Sequence, residues 1–301
     1  MFKNFKEIEQ YLISKDVCKT VVVIGAHDSL SLDAIIKASK KKIIKAVLVG
    51  DKSKVESILK KYGERAECYE IIDEPDEKKA ANLGMSLISD KKADIPMKGL
   101  IQSSTYLMAI AHPFKGLLPF DGLLSEATVF YYPDAERLMI ATDCAINVNP
   151  SPDEKKIIIS NAVKLNETLG NIKSKVAVLS AVEKINPEIP SSVHAGELSG
   201  MDWGDNIVVE GPFALDNALD REAAIHKGME SEVAGNADIL LVPDLIGGNI
   251  LHKSIHFFGH YEYASVMCGT TKPVIFNSRT DSQAAKYNSI LLAVLQSLSD
   301  E

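Results

Sequence analysis

ATDCAINVNPSPDE, residues 141–154, joins the carboxyl end of an apolar strand to the start of a helix. The strand reads over 137–141, and Thr142, Asp143, Asn147 and Asn149 follow it. Ser151 and Glu154 have the spacing of a capping box, and Pro152 takes the first helical position. Open α/β sheets bind small ligands where a polar segment is fixed between a strand's carboxyl end and a helix's amino end. The stretch therefore predicts an α/β protein that acts on a small molecule.

The same alternation extends in both directions. Short apolar runs predict strands over 20–25, 46–50, 69–72, 94–97, 128–132, 138–141, 176–179, 207–209, 239–242 and 274–276. Longer amphipathic runs predict helices near 31–41, 54–62, 77–89, 102–111, 152–169, 221–227, 249–256 and 282–298. Strands alternating with helices imply βαβ units and largely parallel sheets. The runs at 128–132 and 138–141 read as a hairpin around Pro133 and Asp134. Residues 112–125, rich in Gly, Pro and aromatics, read as a loop or the wall of a cleft.

A chain of 301 residues with 46% hydrophobic content has room for two domains with full cores. Net charge is −8, with no basic stripe, so nucleic acid is not the expected partner. Cys18, Cys68, Cys144 and Cys268 form no CxxC pair and read as reduced thiols of a cytoplasmic protein. The first fifteen residues lack the apolar core and cleavage site of a signal peptide. No run of about eighteen apolar residues predicts a membrane span.

There is no GxGxxG and no GxxxxGK[ST], which disfavours a Rossmann dinucleotide site and a Walker loop. Gly25-Ala26-His27-Asp28, after the first strand, reads as a turn. Phe276-Asn277-Ser278-Arg279-Thr280-Asp281-Ser282 follows a strand and precedes a long helix. Ser278 offers a hydroxyl, Arg279 a fork for a phosphate or carboxylate, and Asp281 a base. A capped helix start, with Asp281 or Ser282 as the cap, explains the same residues equally well. Lys98-Gly99 ends another strand and precedes a helix bearing Gln102, Ser103 and Ser104, which suits an anion pocket. A surface lysine and a tight turn is the plainer alternative. Gly247-Gly248-Asn249 either converges backbone N–H groups on an anion or is a turn. His252, His256 and His260 lie four apart, but no HExxH accompanies them, so packed or solvated histidines are the favoured reading over a metal site. Cys144 has no histidine partner and reads as a packed thiol.

Together these segments resemble the phosphate acetyl/butyryltransferase family, from about the first strand to the last helix. DIPMKGLIQSSTYL (94–107) looks like that family's strand–KGL–helix segment. TDCAINVNPSPDEK (142–155) is similar to its DCAVNPNP-type motif. EGPFALDNAL (210–219), VAGNADILLVPDLIGGNIL (233–251) and NSRTDSQAAKYNSI (277–290) match in the same order. GPFALDxAL, ADILLVPDLxxGN and the chain length look closer to the butyryl branch. The resemblance implies reversible acyl transfer: acyl-CoA and inorganic phosphate give acyl phosphate and CoA. It implies two α/β/α domains with mostly parallel sheets, isocitrate/isopropylmalate dehydrogenase-like, with the active cleft between them. With the last strand and helix returning to the first domain, the expected division is 1–127 plus 266–301, and 128–265. A homodimer or larger assembly is expected, with no metal and no tightly bound cofactor. Arg279 would hold phosphate and Ser278 would donate to the oxyanion. Lys98, Gly99, Ser103, Ser125, Asn147, Gly247, Gly248 and Asn249 would line the substrate pocket.

The chain departs from the family in several places. The acetyl branch carries a catalytic Asp six residues after the arginine, where this chain has Ala285; Asp281 is the nearest substitute. Arginines expected after KGL and in the next loop are absent: the helix has Met108, and residues 116–124 have none. A family-typical His after Ser125 is Glu126. Lys115 and Lys98 are the nearest replacement cations. These losses keep a second reading open, a divergent member that binds CoA or acyl-CoA and transfers poorly to phosphate. A third, a metal-dependent decarboxylating dehydrogenase, rests only on the acidic cluster Asp216, Asp220 and Glu222.

Overall fold

The computed structural model describes residues 1–299. In chain order its elements are α1 (Phe5–Ser14), β1 (Lys19–Ile24), α2 (Ser29–Lys40), β2 (Ile44–Gly50), α3 (Lys52–Lys61), β3 (Glu70–Asp73), α4 (Glu77–Ser89), β4 (Ile95–Lys98) and α5 (Ser103–Ile110). There follow β5 (Ser125–Tyr132), β6 (Arg137–Thr142), α6 (Pro152–Thr168), β7 (Ser174–Leu179), α7 (Pro190–Ser199), β8 (Ile207–Phe213), α8 (Leu215–Leu219) and α9 (Arg221–His226). The last are β9 (Ile239–Leu241), α10 (Leu245–Phe257), β10 (Tyr263–Cys268), β11 (Val274–Ile275) and α11 (Gln283–Ser299). Two compact units divide the chain. One holds Phe5–Gly122 and the described residues from Tyr263 onward; the other holds Leu123–Glu262 with Met1–Asn4.

In the first unit the strand order is β3-β2-β1-β4-β11-β10. All neighbours are parallel except the antiparallel pair β10/β11. Val21–Ile24 of β1 and Ile95–Lys98 of β4 are buried throughout, as strands covered on both faces must be. The chain runs outward from β1 to β2 and β3, then returns to β4 on the other side of β1. The sheet order therefore reverses between β1 and β4, and the loops after these two strands flank the crevice where such sheets take ligands. Asp28 follows β1 and caps α2, accepting from Ser31 N–H. Lys98 ends β4. The two loops touch: Gly99 N–H donates to Ile24 O and Leu100 N–H to Gly25 O. A Cβ on Gly99 would stand 2.3 Å from Gly25 O, so only glycine permits the approach.

Helix α11 packs on α2, β10 and α1 and is buried almost along its length. Ile290, Leu291, Leu292 and Val294 are fully buried, each contributing about 1.5–3 kcal/mol. Lys286 lies on this otherwise apolar helix and is as buried as its neighbours.

In the second unit the order is β5-β6-β9-β7-β8, with β5/β6 an antiparallel hairpin and the remaining pairs parallel. Here β9 returns between β6 and β7, so the carboxyl ends of β6 and β9 are neighbours, joined by Val242 N–H to Thr142 O. The capping box of α6 forms as the sequence predicts. Ser151 N–H donates to Glu154 Oε2 at 2.7 Å, and Glu154 N–H to Ser151 Oγ at 3.3 Å.

Two sequence expectations are corrected. Helix α10 begins at Leu245, not near 249, because Asp244 caps it and accepts from Gly247 N–H. Gly247 and Gly248 are thus in the first helical turn, not in a preceding loop. Gly248 is there because a Cβ would stand 2.5 Å from Asp143 O and 2.8 Å from Cys144 Cα. Strand β10 and helix α7 also form where the sequence predicts neither. YASVMC of β10 is fully buried, so it has no alternating pattern to mark it. Among the described residues, no helix is long and apolar enough to cross a membrane.

Candidate active site

Three basic side chains meet at the switch point of the first unit. Lys98 is 2% exposed and Lys286 is 1% exposed, while Arg279 is exposed. Burial pulls the Lys98 ammonium down to about 8, and the positive charges of Lys286 and Arg279 add to that; Asp28 and Asp281 work against it. Lys286 is lowered too, first by burial, with Asp28 and Asp281 opposing. Lys286 Nζ lies 3.6 Å from Asp28 Oδ2 and donates to Ser278 O at 3.2 Å. Among the described residues, Lys98 Nζ has neither a hydrogen bond nor an ion pair. A buried ammonium is costly unless paired, so an unpaired one beside two further cations calls for an anion from outside the chain.

The segment 277–281 forms a turn closed on Asp281. Asp281 is 1% exposed, and it accepts from Ser278 N–H at 2.8 Å, Asn277 Nδ2 at 3.3 Å and Tyr263 OH at 3.1 Å. These bonds turn Ser278 and Arg279 outward on an exposed tip, where Ser278 Oγ meets Thr280 Oγ1 at 3.2 Å. Gly99 sits beside Lys98 at the close approach of the two loops, and Ser103 is exposed in the first turn of α5.

In the second unit the polar segment after β6 wraps around Asp143. This buried carboxylate accepts from Glu126 N–H (3.0 Å), Ala145 N–H (3.0 Å), Ile146 N–H (3.1 Å) and Asn147 N–H (2.9 Å). Asn147 Nδ2 donates to Leu124 O at 2.8 Å and also to Asp143 Oδ2. Ser125 is fully buried and its Oγ accepts from Asn161 Nδ2 at 3.1 Å. Asp244 takes the Gly247 N–H on its side chain and the Gly248 N–H on its carbonyl. Asn249 is exposed one residue further along α10. So the structure gathers Lys98, Gly99, Ser278, Arg279 and Asp281 in one unit. It gathers Asn147 and Gly248 about Asp143 in the other, where Ser125 adjoins Glu126.

The histidines spaced four apart do not converge. His252 is buried, with Nδ1 2.9 Å from Thr128 Oγ1, which also contacts Glu126; His256 packs edge-on to Phe257; His260 is exposed. Among the described residues no group of three or more His, Cys, Asp or Glu side chains is placed to hold a metal. Cys144 is a packed thiol, raised by burial and then by the charges of Glu126 and Asp143.

This chain matches the model of the phosphate acetyl/butaryl transferase family over residues 58–294. It belongs to that family. It is 41% identical over 298 residues to the phosphate butyryltransferase of Clostridium acetobutylicum, covering 98% of both chains. It is 34% identical over 294 residues to the phosphate acetyltransferase of Rickettsia felis, covering 96% of this chain and 84% of that one. Among solved structures it resembles a branched-chain phosphotransacylase from Enterococcus faecalis V583, with TM-score 0.84 and 31% identity over 93% of this chain and 99% of that one.

Family membership does not itself single out the residues that sequence reasoning missed. Lys286 shares one helical stripe with Ile290 and Ala293, at i+4 and i+7, and a lysine in an apolar stripe was the available signal. Asp28 lies in a segment that reads locally as a turn. Lys155 carries a similar signal: it is 2% exposed on α6, pulled down to about 8 by burial, and 3.1 Å from His194 Nδ1.

Proposed function

We propose that this chain catalyses reversible transfer of a short-chain acyl group, butyryl-like in preference to acetyl, between coenzyme A and inorganic phosphate. The observation that carries this reading is the unpaired Lys98 beside Arg279 and Lys286. Phosphate brings two negative charges to a place where burial has concentrated positive ones, and charge-assisted bonds to guanidinium and ammonium are the strong kind. The higher identity to the butyryl relative supports the acyl preference.

In the acyl-phosphate-consuming direction the thiol sulfur attacks the acyl carbon. The carbonyl oxygen takes up negative charge, the C–O bond to phosphate breaks, and the thiol proton ends on the departing phosphate. Arg279 and Lys98 hold the phosphoryl oxygens, and Ser278 Oγ donates to the oxyanion. Asp281 is assigned to positioning instead of proton removal, since it is buried and bonded to three donors that shape the Ser278 turn. Asn147, Ser125 and Gly248 are assigned to the substrate side of the second unit, where Asp143 sets their loop.

The missing arginines favour one rival, a family member that binds acyl-CoA but uses phosphate poorly; Met108 is 60% exposed where a cation is expected. Measuring CoA release from butyryl-CoA against phosphate concentration separates the two. Saturation at millimolar phosphate supports acyl transfer to phosphate, and a rate indifferent to phosphate supports the rival.

We also infer a cytoplasmic homodimer or larger homo-oligomer. Exposed Cys18 and Cys68 thiols fit a reducing compartment. Ile246, Ile250 and Phe257 form one exposed apolar stripe on α10 that suits burial against a second copy. Sedimentation velocity tests it: a monomer at micromolar concentration contradicts the assembly.

A further inference from the structure

Lys98 and Lys286 are two buried amines at one switch point, and two carboxylates, Asp28 and Asp281, act on both. Asp28 is 3.6 Å from Lys286 Nζ. It also lies near enough to Lys98 to strengthen that amine's hold on its proton. Asp28 cannot swing freely, because it accepts from Ser31 N–H and Ser31 Oγ as the cap of α2. Lys98 has four rotatable side-chain bonds and no partner of its own. The amine that can travel is therefore Lys98, and the carboxylate waiting for it is fixed.

We propose that Lys286 is a positioning residue for phosphate use: by engaging Asp28 it keeps Lys98 from folding back into an internal ion pair and leaves it open to the substrate anion. The proposal rests on the reading of Lys98 as a phosphate ligand. A tethered carboxylate acts at a high effective concentration, of millimolar order or more. Left without Lys286, Asp28 would compete with phosphate as a built-in anion. The other carboxylate near both amines is already engaged. Asp281 is held by Ser278 N–H, Asn277 Nδ2 and Tyr263 OH, and Arg279 stands on an exposed turn.

Titration calorimetry with inorganic phosphate on the full chain at pH 7.5 tests this, with circular dichroism as the check on folding. Lys286→Met is expected to weaken phosphate binding about tenfold or more. Adding Asp28→Asn in that background is expected to restore affinity to within about threefold of wild type, because Lys98 is released. Asn caps a helix as well as Asp does, so α2 keeps its start. If Lys286 were only one more attractive charge, or only a strut under Ser278, the double variant would stay as weak as the single one, and the proposal falls. Wild-type affinity in Lys286→Met overturns it as well. Should Lys286→Met not fold, the double variant removes both members of the Lys286–Asp28 pair, so neither is left buried without the other, and it decides alone: affinity near wild type supports the proposal, and affinity as low as that of Lys98→Met overturns it. Phosphate binding that follows this pattern without CoA-dependent turnover would sink the proposed acyl transfer while leaving the Lys286 inference standing. Turnover whose phosphate KM ignores Lys286→Met would do the reverse.

Discussion

Lys286 Nζ donates to the carbonyl oxygen of Ser278, 3.2 Å away, so a buried amine on the last helix fixes the backbone that presents Arg279. One side chain thereby connects the loop after β1, through Asp28, to the turn after β11. Charge placement and loop geometry at this site come from the same contact.

Phosphate use is expected to fall as pH rises through about 8. Lys98 must be charged to hold an anion, and burial together with Lys286 and Arg279 has brought it down to about 8. Phosphate KM measured from pH 7 to 9.5 should climb on the alkaline side. Arginine stays charged throughout that range, so Lys98→Arg should flatten the climb. An identical alkaline limb in that variant would show that another group is titrating.

Lys155 is expected to oppose folding. A lysine whose folded value lies below its unfolded one is penalised while charged. The penalty is full below about pH 8 and fades as pH rises from there toward 10.5. That interval corresponds to about 3 kcal/mol at most, and partial solvent access reduces it. Lys155→Met should therefore raise stability at pH 7 by about 1–2 kcal/mol, with the gain shrinking by pH 10. Urea melts at both values check this; a loss of stability at pH 7 would mean that the His194 contact outweighs desolvation.

The two adjacent glycines of α10 should differ sharply. Gly248→Ala brings a Cβ to 2.5 Å from Asp143 O, which is backbone and cannot yield cheaply, so about 1–3 kcal/mol should be lost. Gly247→Ala meets Pro243 at 3.4 Å, an ordinary contact, and should be neutral or slightly stabilising. Thermal melts of the two single variants decide it, and equal melting points would contradict the packing described.

What the sequence made legible was local. The α6 capping box, the β5/β6 hairpin and the lysine at the end of β4 each depend on neighbours a few residues apart. What it hid depends on distance along the chain. The carboxylate opposite Lys286 lies 258 residues earlier, at Asp28, within a segment that reads as a plain turn. Gly247-Gly248 looks like a turn until Asp143, more than a hundred positions away in sequence, is seen against Gly248. Asp281 reads as a base or a cap, and only its contact with Tyr263 OH shows how fully it is engaged.

The most direct test is CoA release from butyryl-CoA as a function of phosphate, for wild type and Arg279→Ala. Arg279 is exposed, so the variant should keep its fold and melting point. Hyperbolic saturation by phosphate is expected in the wild type, and in the variant a fall in kcat/KM for phosphate of about a hundredfold or more, or about 3 kcal/mol of transition-state stabilisation. Phosphate-dependent turnover that survives Arg279→Ala unchanged would contradict it.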